Sequence, residues 1–213
     1  MILLKLIRVQ AGVYAVNCYI IYCEEKREGI IVDPGGDVDD ILEFVKENDL
    51  DIKYLVLTHG HGDHIGGLKG LKEALDAKIA IHEADVEMLK DGNKNLSSQM
   101  LMGKVEVEPD IILKEGDIIE FGNEKAKVIH TPGHTLGGIC LVIQDNIITG
   151  DTLFAGSIGR SDLYGGDFDT LIKSIKDKLM IYPDETKIFP GHGSPSIIGR
   201  ERRGNPFLSN IQY

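Results

Sequence analysis

The seven residues Thr58-His59-Gly60-His61-Gly62-Asp63-His64 constrain this chain more than any other stretch. Three imidazoles and a carboxylate fall within six positions, directly after the apolar run Tyr54-Leu55-Val56-Leu57 and just before Gly66-Gly67. This reads as a buried strand ending in a tight loop, with a helix behind it. At the end of an extended segment, residues two apart project to the same side, so His59 and His61 can grip one cation. Gly60 and Gly62 are small spacers that let the loop fold tightly. Asp63 and His64 come just past the turn and can serve a neighbouring position. Imidazole with carboxylate suits zinc, iron or manganese, and the lack of Cys in the run argues against a structural Cys-rich zinc site.

The surrounding chain alternates strand-like and helix-like segments. Residues 2–9, 17–22 and 29–32 read as strands, the last ending at the turn Asp33-Pro34-Gly35-Gly36. Val38, Ile41, Leu42 and Val45 predict a helix over 37–48, and Leu68, Leu71, Ala74 and Leu75 predict another. A strand over 78–82 and a short helix over 83–90 follow, with His82 as an ordinary strand-end histidine. Residues 91–110 are irregular, and a stretch this long without clear structure is often functional. Met100 and Met102 could line a pocket there, with packing under the loop as the plainer role. Residues 111–148 are all strand and turn, with hairpin signals at Gly116-Asp117 and Gly122-Asn123. A helix over 168–180 and a strand over 186–189 complete the pattern.

The length of 213 residues sets the expectation of a single domain over 1–213. A formal charge of −11 argues against a nucleic-acid partner, which would want a basic face. No run approaches the ~18 apolar residues of a membrane span. The N-terminus lacks the basic start and cleavage site of a signal peptide. Cys18, Cys23 and Cys140 are odd in number and scattered, which fits reduced thiols and a cytoplasmic setting.

Three later motifs carry matching side chains: His134 in Thr131-Pro132-Gly133-His134-Thr135, Asp151 in Thr149-Gly150-Asp151-Thr152, and His192 in Pro190-Gly191-His192-Gly193. Together with the first run, this order resembles the metallo-β-lactamase superfamily. Within it the chain is similar to the glyoxalase II (hydroxyacylglutathione hydrolase) branch, in the short bacterial form without a C-terminal helical domain. The segments 156–162 and 199–208 are further points of similarity. The resemblance implies an α/β fold, a four-layer αβ/βα sandwich with its site at one edge of two facing sheets. It also implies two divalent ions, zinc foremost, with iron or manganese as alternatives. His59, His61 and His134 would hold the first; Asp63, His64 and His192 the second; Asp151 would bridge them. Asp63 would also orient the nucleophile. His130, four residues before His134, is not a ligand in the family pattern. Asp33 is either a residue that holds a ligand's N–H in position or a simple turn cap.

The implied reaction is hydrolysis of a hydroxyacyl thioester such as S-D-lactoylglutathione by a hydroxide held between the metals. Larger relatives grip glutathione partly through their extra domain. Here Arg200, Arg202, Arg203 and Tyr213 are candidate substitutes, or else part of a structural tail. Two alternatives follow. One is a mononuclear-iron persulfide dioxygenase, which would use His59, His134 and Asp151 and shares the Gly-Arg-x-Asp segment. The other is a non-enzymatic metal-binding module. A zinc β-lactamase fits less well, since such enzymes often place Cys where this chain has Asp151.

Overall fold

The computed structural model describes residues 4–209. The first sheet is laid down in chain order by β1 (Leu4–Ala11), β2 (Val16–Cys23), β3 (Glu28–Val32), β4 (Asp51–Val56), β5 (Lys78–His82) and β6 (Ile111–Leu113). Helices α1 (Val38–Glu47), α2 (Gly62–Ile65), α3 (Leu68–Ala74) and α4 (Val86–Leu89) lie between its strands in sequence. Pairing is antiparallel from β1 to β3 and parallel from β3 to β6.

The second half contributes β7 (Ile118–Phe121), β8 (Glu124–His130), β9 (Ile139–Ile143) and β10 (Asn146–Gly150). The short hairpin β11 (Leu153–Phe154) and β12 (Ser157–Ile158) follows, then helix α5 (Phe168–Ser174), β13 (Lys187–Pro190) and β14 (Ser196–Ile197). These strands, apart from the hairpin, form a second six-stranded sheet in the order β14-β13-β10-β9-β8-β7. Helices α6 (Ile198–Gly204) and α7 (Pro206–Ser209) close the described chain.

The layers follow from side-chain alternation. In β2, Tyr19 and Ile21 face one way and Ile20 and Tyr22 the other, and all are buried because both faces of the sheet are covered. Tyr19, Ile21, Ile30 and Val56 meet Phe121, Val128, Leu141 and Ile148 of the second sheet in a central core. Ile20, Ile31, Leu55 and Ile79 pack instead against Ile41 and Val45 of α1 and Leu68 and Leu71 of α3. On the far side, Cys140, Ile147 and Ile188 pack against Leu171 and Ile172 of α5 and Ile198 of α6. The order is helix, sheet, sheet, helix: the four-layer α/β sandwich. Fully burying each such aliphatic side chain contributes about 1.5–3 kcal/mol.

Several boundaries differ from the sequence reading. β4 begins at Asp51, because parallel pairing with β3 starts there and a bulge at Gly29/Ile30 absorbs Lys53. The helix expected over 168–180 splits. After α5 the chain makes a π turn over Ile175–Leu179, where Met180 N donates to Ile175 O, five residues back (2.9 Å). The hairpin β11–β12 and the helices α6 and α7 were not anticipated. The first strand begins at Leu4 within the described residues; residues 2 and 3 of its expected span, and Tyr213, lie outside them. No helix among the described residues is long and apolar enough to cross a membrane. Cys18, Cys23 and Cys140 are free and buried. Burial pushes the Cys140 thiol up to about 11, which suits packing rather than reactivity.

Candidate metal centre

The site lies where strands of both sheets end. β4 delivers Thr58, His59 and His61, and the one-turn helix α2 carries Asp63 and His64. From the second sheet, β8 leads to His134, β10 to Asp151 and β13 to His192. The structure therefore brings together all seven residues singled out by their motifs, four from one sheet and three from the other.

Two nitrogen-rich groups result. His59, His61 and His134 are buried and offer ligand atoms within 4.8 Å of one another. His134 Nε2 lies 2.9 Å from His61 Nδ1 and 3.2 Å from His59 Nε2. The second group is Asp63, His64 and His192. Asp63 Oδ2 stands 3.2 Å from His192 Nε2 and 3.8 Å from His64 Nε2. Asp151 sits between them: Oδ1 is 3.4 Å from His64 Nε2, while Oδ2 is 3.7 Å from His134 Nε2 and 3.8 Å from His192 Nε2.

Neighbouring groups decide which ring nitrogens are bare. Arg160 O can only accept, so His134 Nδ1 donates to it at 2.6 Å and leaves Nε2 unprotonated. Thr58 Oγ1 gives its proton to Asp33 Oδ2 at 2.6 Å and so accepts from His59 Nδ1 at 3.1 Å. His59 Nε2 is then bare as well. Two lone pairs thus face each other at 3.2 Å with no proton between them. Two nitrogens on one tetrahedral metal with bonds of 2.0–2.1 Å stand about 3.3 Å apart. His61 Nε2, His64 Nε2 and Asp151 Oδ1 are also buried without a hydrogen-bond partner among the described residues. A cation at each group fits this donor set.

At His59, His61, Asp63 and Asp151 the charge pattern is consistent with that fit. Burial, reinforced by the other imidazoles, holds His59 well below the usual histidine range and His61 at about 3. Burial also works against a charged His64, but Asp151, Asp33 and Asp63 outweigh it and push its pKa well up. Burial raises Asp151 and Asp63, yet the surrounding imidazoles win and both carboxyls are held down. Neutral imidazole and ionised carboxylate are the forms that bind metals, so His64 would release a proton as an ion enters.

Three buried polar residues position the loops that carry the candidate ligands. Asp33, at φ +53°, accepts from Thr58 N (2.7 Å) and Thr58 Oγ1 (2.6 Å), and its Oδ2 lies 3.0 Å from His64 Nδ1. Asp33, His59 and His64 also cluster closely enough to hold an ion. However, both Asp33 oxygens already accept from Thr58, so an orienting role explains it better. Asp85 accepts from Gly60 N, Thr135 Oγ1 and Gly137 N at 3.1, 2.7 and 2.6 Å, tying the first histidine loop to the second. Asn17 holds the third loop: its Nδ2 donates to Pro190 O and Gly193 O, both at 2.9 Å, and its backbone N to Gly191 O at 2.7 Å. Tyr19 Oη adds a bond to Pro190 O at 2.6 Å. Gly191 must be glycine, since a Cβ there would run into Asp151 Oδ1 and His64 Cε1.

The other sequence candidates fall elsewhere. His82 and His130 stack on each other with ring centroids 4.0 Å apart and planes at 16°, outside both groups. Met100 lines the cavity over the site, whereas Met102 packs into the core beneath. Arg202 donates to Met180 O and Tyr182 O and pairs with Asp184, as does Arg203. These two arginines brace the C-terminal helices. Asp85 and Asn17 were missed by sequence reasoning. For Asn17 the signal was a polar side chain opening an otherwise apolar strand; for Asp85 there was none.

The metallo-beta-lactamase superfamily model matches residues 11–192. Hydroxyacylglutathione hydrolase GloC of Haemophilus influenzae is 37% identical over 198 residues, covering 91% of this chain and 93% of that protein. Among solved structures, the B3 metallo-beta-lactamase BLEG-1 superposes with a TM-score of 0.91 at 32% identity, covering 97% of this chain and 100% of that one. TTHA1623 in a di-iron-bound form superposes at 0.83 with 33% identity, covering 95% and 100%. Family match, fold and relatives agree, and the chain belongs to the metallo-β-lactamase superfamily.

Proposed function

We propose that this protein is a metal-dependent hydrolase of acyl thioesters, with S-D-lactoylglutathione as the first substrate to test. The observation that carries the reading is Asp151, whose two oxygens face both nitrogen groups, at 3.4 Å to His64 and 3.7 Å to His134. That placement favours two ions, each with three further ligands: His59, His61 and His134 for one, Asp63, His64 and His192 for the other. Such ions supply Lewis acidity and lower the pKa of a water from 15.7 to about 7. Zinc suits the donor set best; iron also does, and a related structure is described as di-iron-bound.

The chain's own residues do the rest. Asp63 stays ionised under the influence of His64 and His192, so its Oδ2 can accept a hydrogen bond from an attacking water and aim it. His59 and His61 are held neutral, so neither is a general acid at neutral pH. With all five imidazoles of the site engaged as ligands, no free general acid would remain, which suits a leaving group that needs none; a thiol of pKa about 8.5 leaves as thiolate unaided. The similarity to a hydroxyacylglutathione hydrolase points the same way.

A second reading has its own support. His59, His134 and Asp151 also converge, with 3.2 and 3.7 Å between their facing atoms, and could hold a single iron for a persulfide dioxygenase. The test is metal content by mass spectrometry beside three assays: thiol release from S-D-lactoylglutathione, oxygen uptake with glutathione persulfide, and cleavage of a chromogenic β-lactam. Two metals with thiol release are expected. One iron with oxygen uptake would replace the hydrolase by the dioxygenase. Two metals with β-lactam cleavage alone would keep the hydrolase and reject the thioester.

A further inference from the structure

A cavity of about 510 Å³ opens over the two ligand groups. Beyond the candidate ligands themselves, its wall is Tyr14, Leu96, Met100, Phe154, Ile158 and Leu163, with Arg160 as the one cation among the described residues. Arg160 is already engaged: Nε and Nη2 bond to the two oxygens of Asp162 at 2.8 and 2.9 Å. Several other cations have partners as well. Arg8 donates to Gly193 O at 3.3 Å, and Lys94 pairs with Glu87 while lying over the Tyr164 ring. Arg202 and Arg203 are held by Asp184. Glutathione carries two carboxylates, and a site selecting it needs donors aimed at them.

The apolar wall is built rather than incidental. Leu96 is held at φ +69°, a conformation costly for a bulky apolar residue and one that persists where the surroundings impose it. Its neighbour Asn95 imposes it: buried, with Nδ2 donating to Met88 O and Val105 O at 2.9 Å each, and its carbonyl accepting from Gly62 N at 2.7 Å. Opposite the histidine loops, Phe154 stands edge-on to His192 with centroids 6.4 Å apart. An apolar group placed here would lie beside the ligand shell without desolvating an unpaired charge.

We infer that the cavity selects thioesters by an apolar acyl group, and that the charges of the thiol carrier are not recognised. This rests on the thioesterase reading and narrows it. The test uses the metal-loaded protein and four substrates: D-lactoyl and phenylacetyl thioesters, each on glutathione and on uncharged N-acetylcysteamine. Exchanging the carrier is expected to change kcat/KM by less than about 3-fold. Exchanging lactoyl for phenylacetyl is expected to raise kcat/KM by about 10-fold or more, chiefly through KM. Phe154→Ala should collapse that acyl ratio towards one. A preference for the glutathione carrier above about 10-fold, or for lactoyl over phenylacetyl, overturns the inference. A binding arm separates this from failure of the chemistry. By calorimetry on the metal-free protein, the thioether S-(2-phenylethyl)-N-acetylcysteamine should bind at least about 10-fold tighter than S-methylglutathione. The reverse order overturns the inference. No hydrolysis of any thioester by protein holding two metals would instead remove the thioesterase reading, and the binding order would still judge the cavity.

Discussion

Replacing Asp33 by Asn exchanges one carboxylate oxygen for an amide nitrogen and leaves the shape nearly unchanged. Asn also tolerates the left-handed backbone at this position, so the φ of +53° adds no new strain. The amide oxygen can still accept from Thr58 N at 2.7 Å. The amide NH₂, however, now faces Thr58 Oγ1 at 2.6 Å, where a carboxylate oxygen accepted, and stands 3.0 Å from His64 Nδ1 in place of a negative charge. Thr58 Oγ1 must then accept from the amide and turn its own proton towards His59 Nδ1, 3.1 Å away. His59 is driven to carry its proton on Nε2, the atom it turns towards the ligand groups, and His64 loses one of the carboxylates that hold its pKa up. Loss of such an orienting partner costs about 10–100-fold in metal affinity, which is about 1.4–2.7 kcal/mol per site. Zinc affinity would be read by competition with a chromogenic chelator, and the ring tautomers by ¹⁵N NMR of the metal-free protein. A folded variant with unchanged affinity for both ions and an unchanged His59 tautomer would refute the chain of proton assignments through Thr58.

Asn17→Ala strips two donors from the carbonyls around His192 and should cost about 2–4 kcal/mol in urea unfolding. It should lower metal content towards one ion per chain, whereas retention of two tight ions would dismiss the clamp. Removal of metal by chelator should leave the far-ultraviolet dichroism intact at 25 °C, because the three apolar cores stand apart from the ligands. The melting temperature should nevertheless fall, with the loss worth about 2.7 kcal/mol when free metal had stood at 100 times its Kd; outright unfolding would favour a structural metal module. Burial, reinforced by His130, holds His82 down at about 4. Its contribution is therefore full above the unfolded value of about 6.5 and is lost as pH falls towards 4. Discounted for solvent screening this is about 1–2 kcal/mol, read as the difference in unfolding free energy between wild type and His82→Asn, which keeps an acceptor for Ala84 N. A flat difference between pH 4 and 7 would contradict it. Leu96→Gly should leave stability unchanged or raise it by up to about 1 kcal/mol while raising KM for apolar thioesters; a clear loss of stability with KM unchanged would show that Leu96 serves packing alone.

Much of this molecule is legible from residue order because its signals are local. The apolar run before His59 marks a buried strand, and each later ligand follows a strand with its own turn chemistry. Helix-spaced apolar pairs such as Ile41 with Val45 and Leu171 with Ile175 reveal the outer layers. What escapes is set by partners distant in the chain. Asp33 reads equally as a turn cap until Thr58 and His64 are seen against it. Asp85 sits in a short polar segment and shows its role only when Gly60, Thr135 and Gly137 converge on it. The π turn after α5 and the hairpin β11–β12 leave no periodicity that a sequence can display, being one turn and two residues per strand.

The seven proposed ligands are unevenly distributed along the chain, and this bears on the route by which the protein folds. His59, His61, Asp63 and His64 are near neighbours in sequence, so an open chain already offers a local chelate. The remaining ligands arrive only through distant closure: His192 meets Asp63 across 129 residues, and Asn17 meets Pro190 across 173. Contacts of such range form late and set the pace of folding. An ion caught early by the local run would therefore be carried into the site, while one offered afterwards must enter a shell that has already closed. Affinity for the open chain also subtracts from the stabilisation an ion gives the folded one. Metal present during refolding should accordingly change the ions found in the product, even where it barely changes the melting temperature.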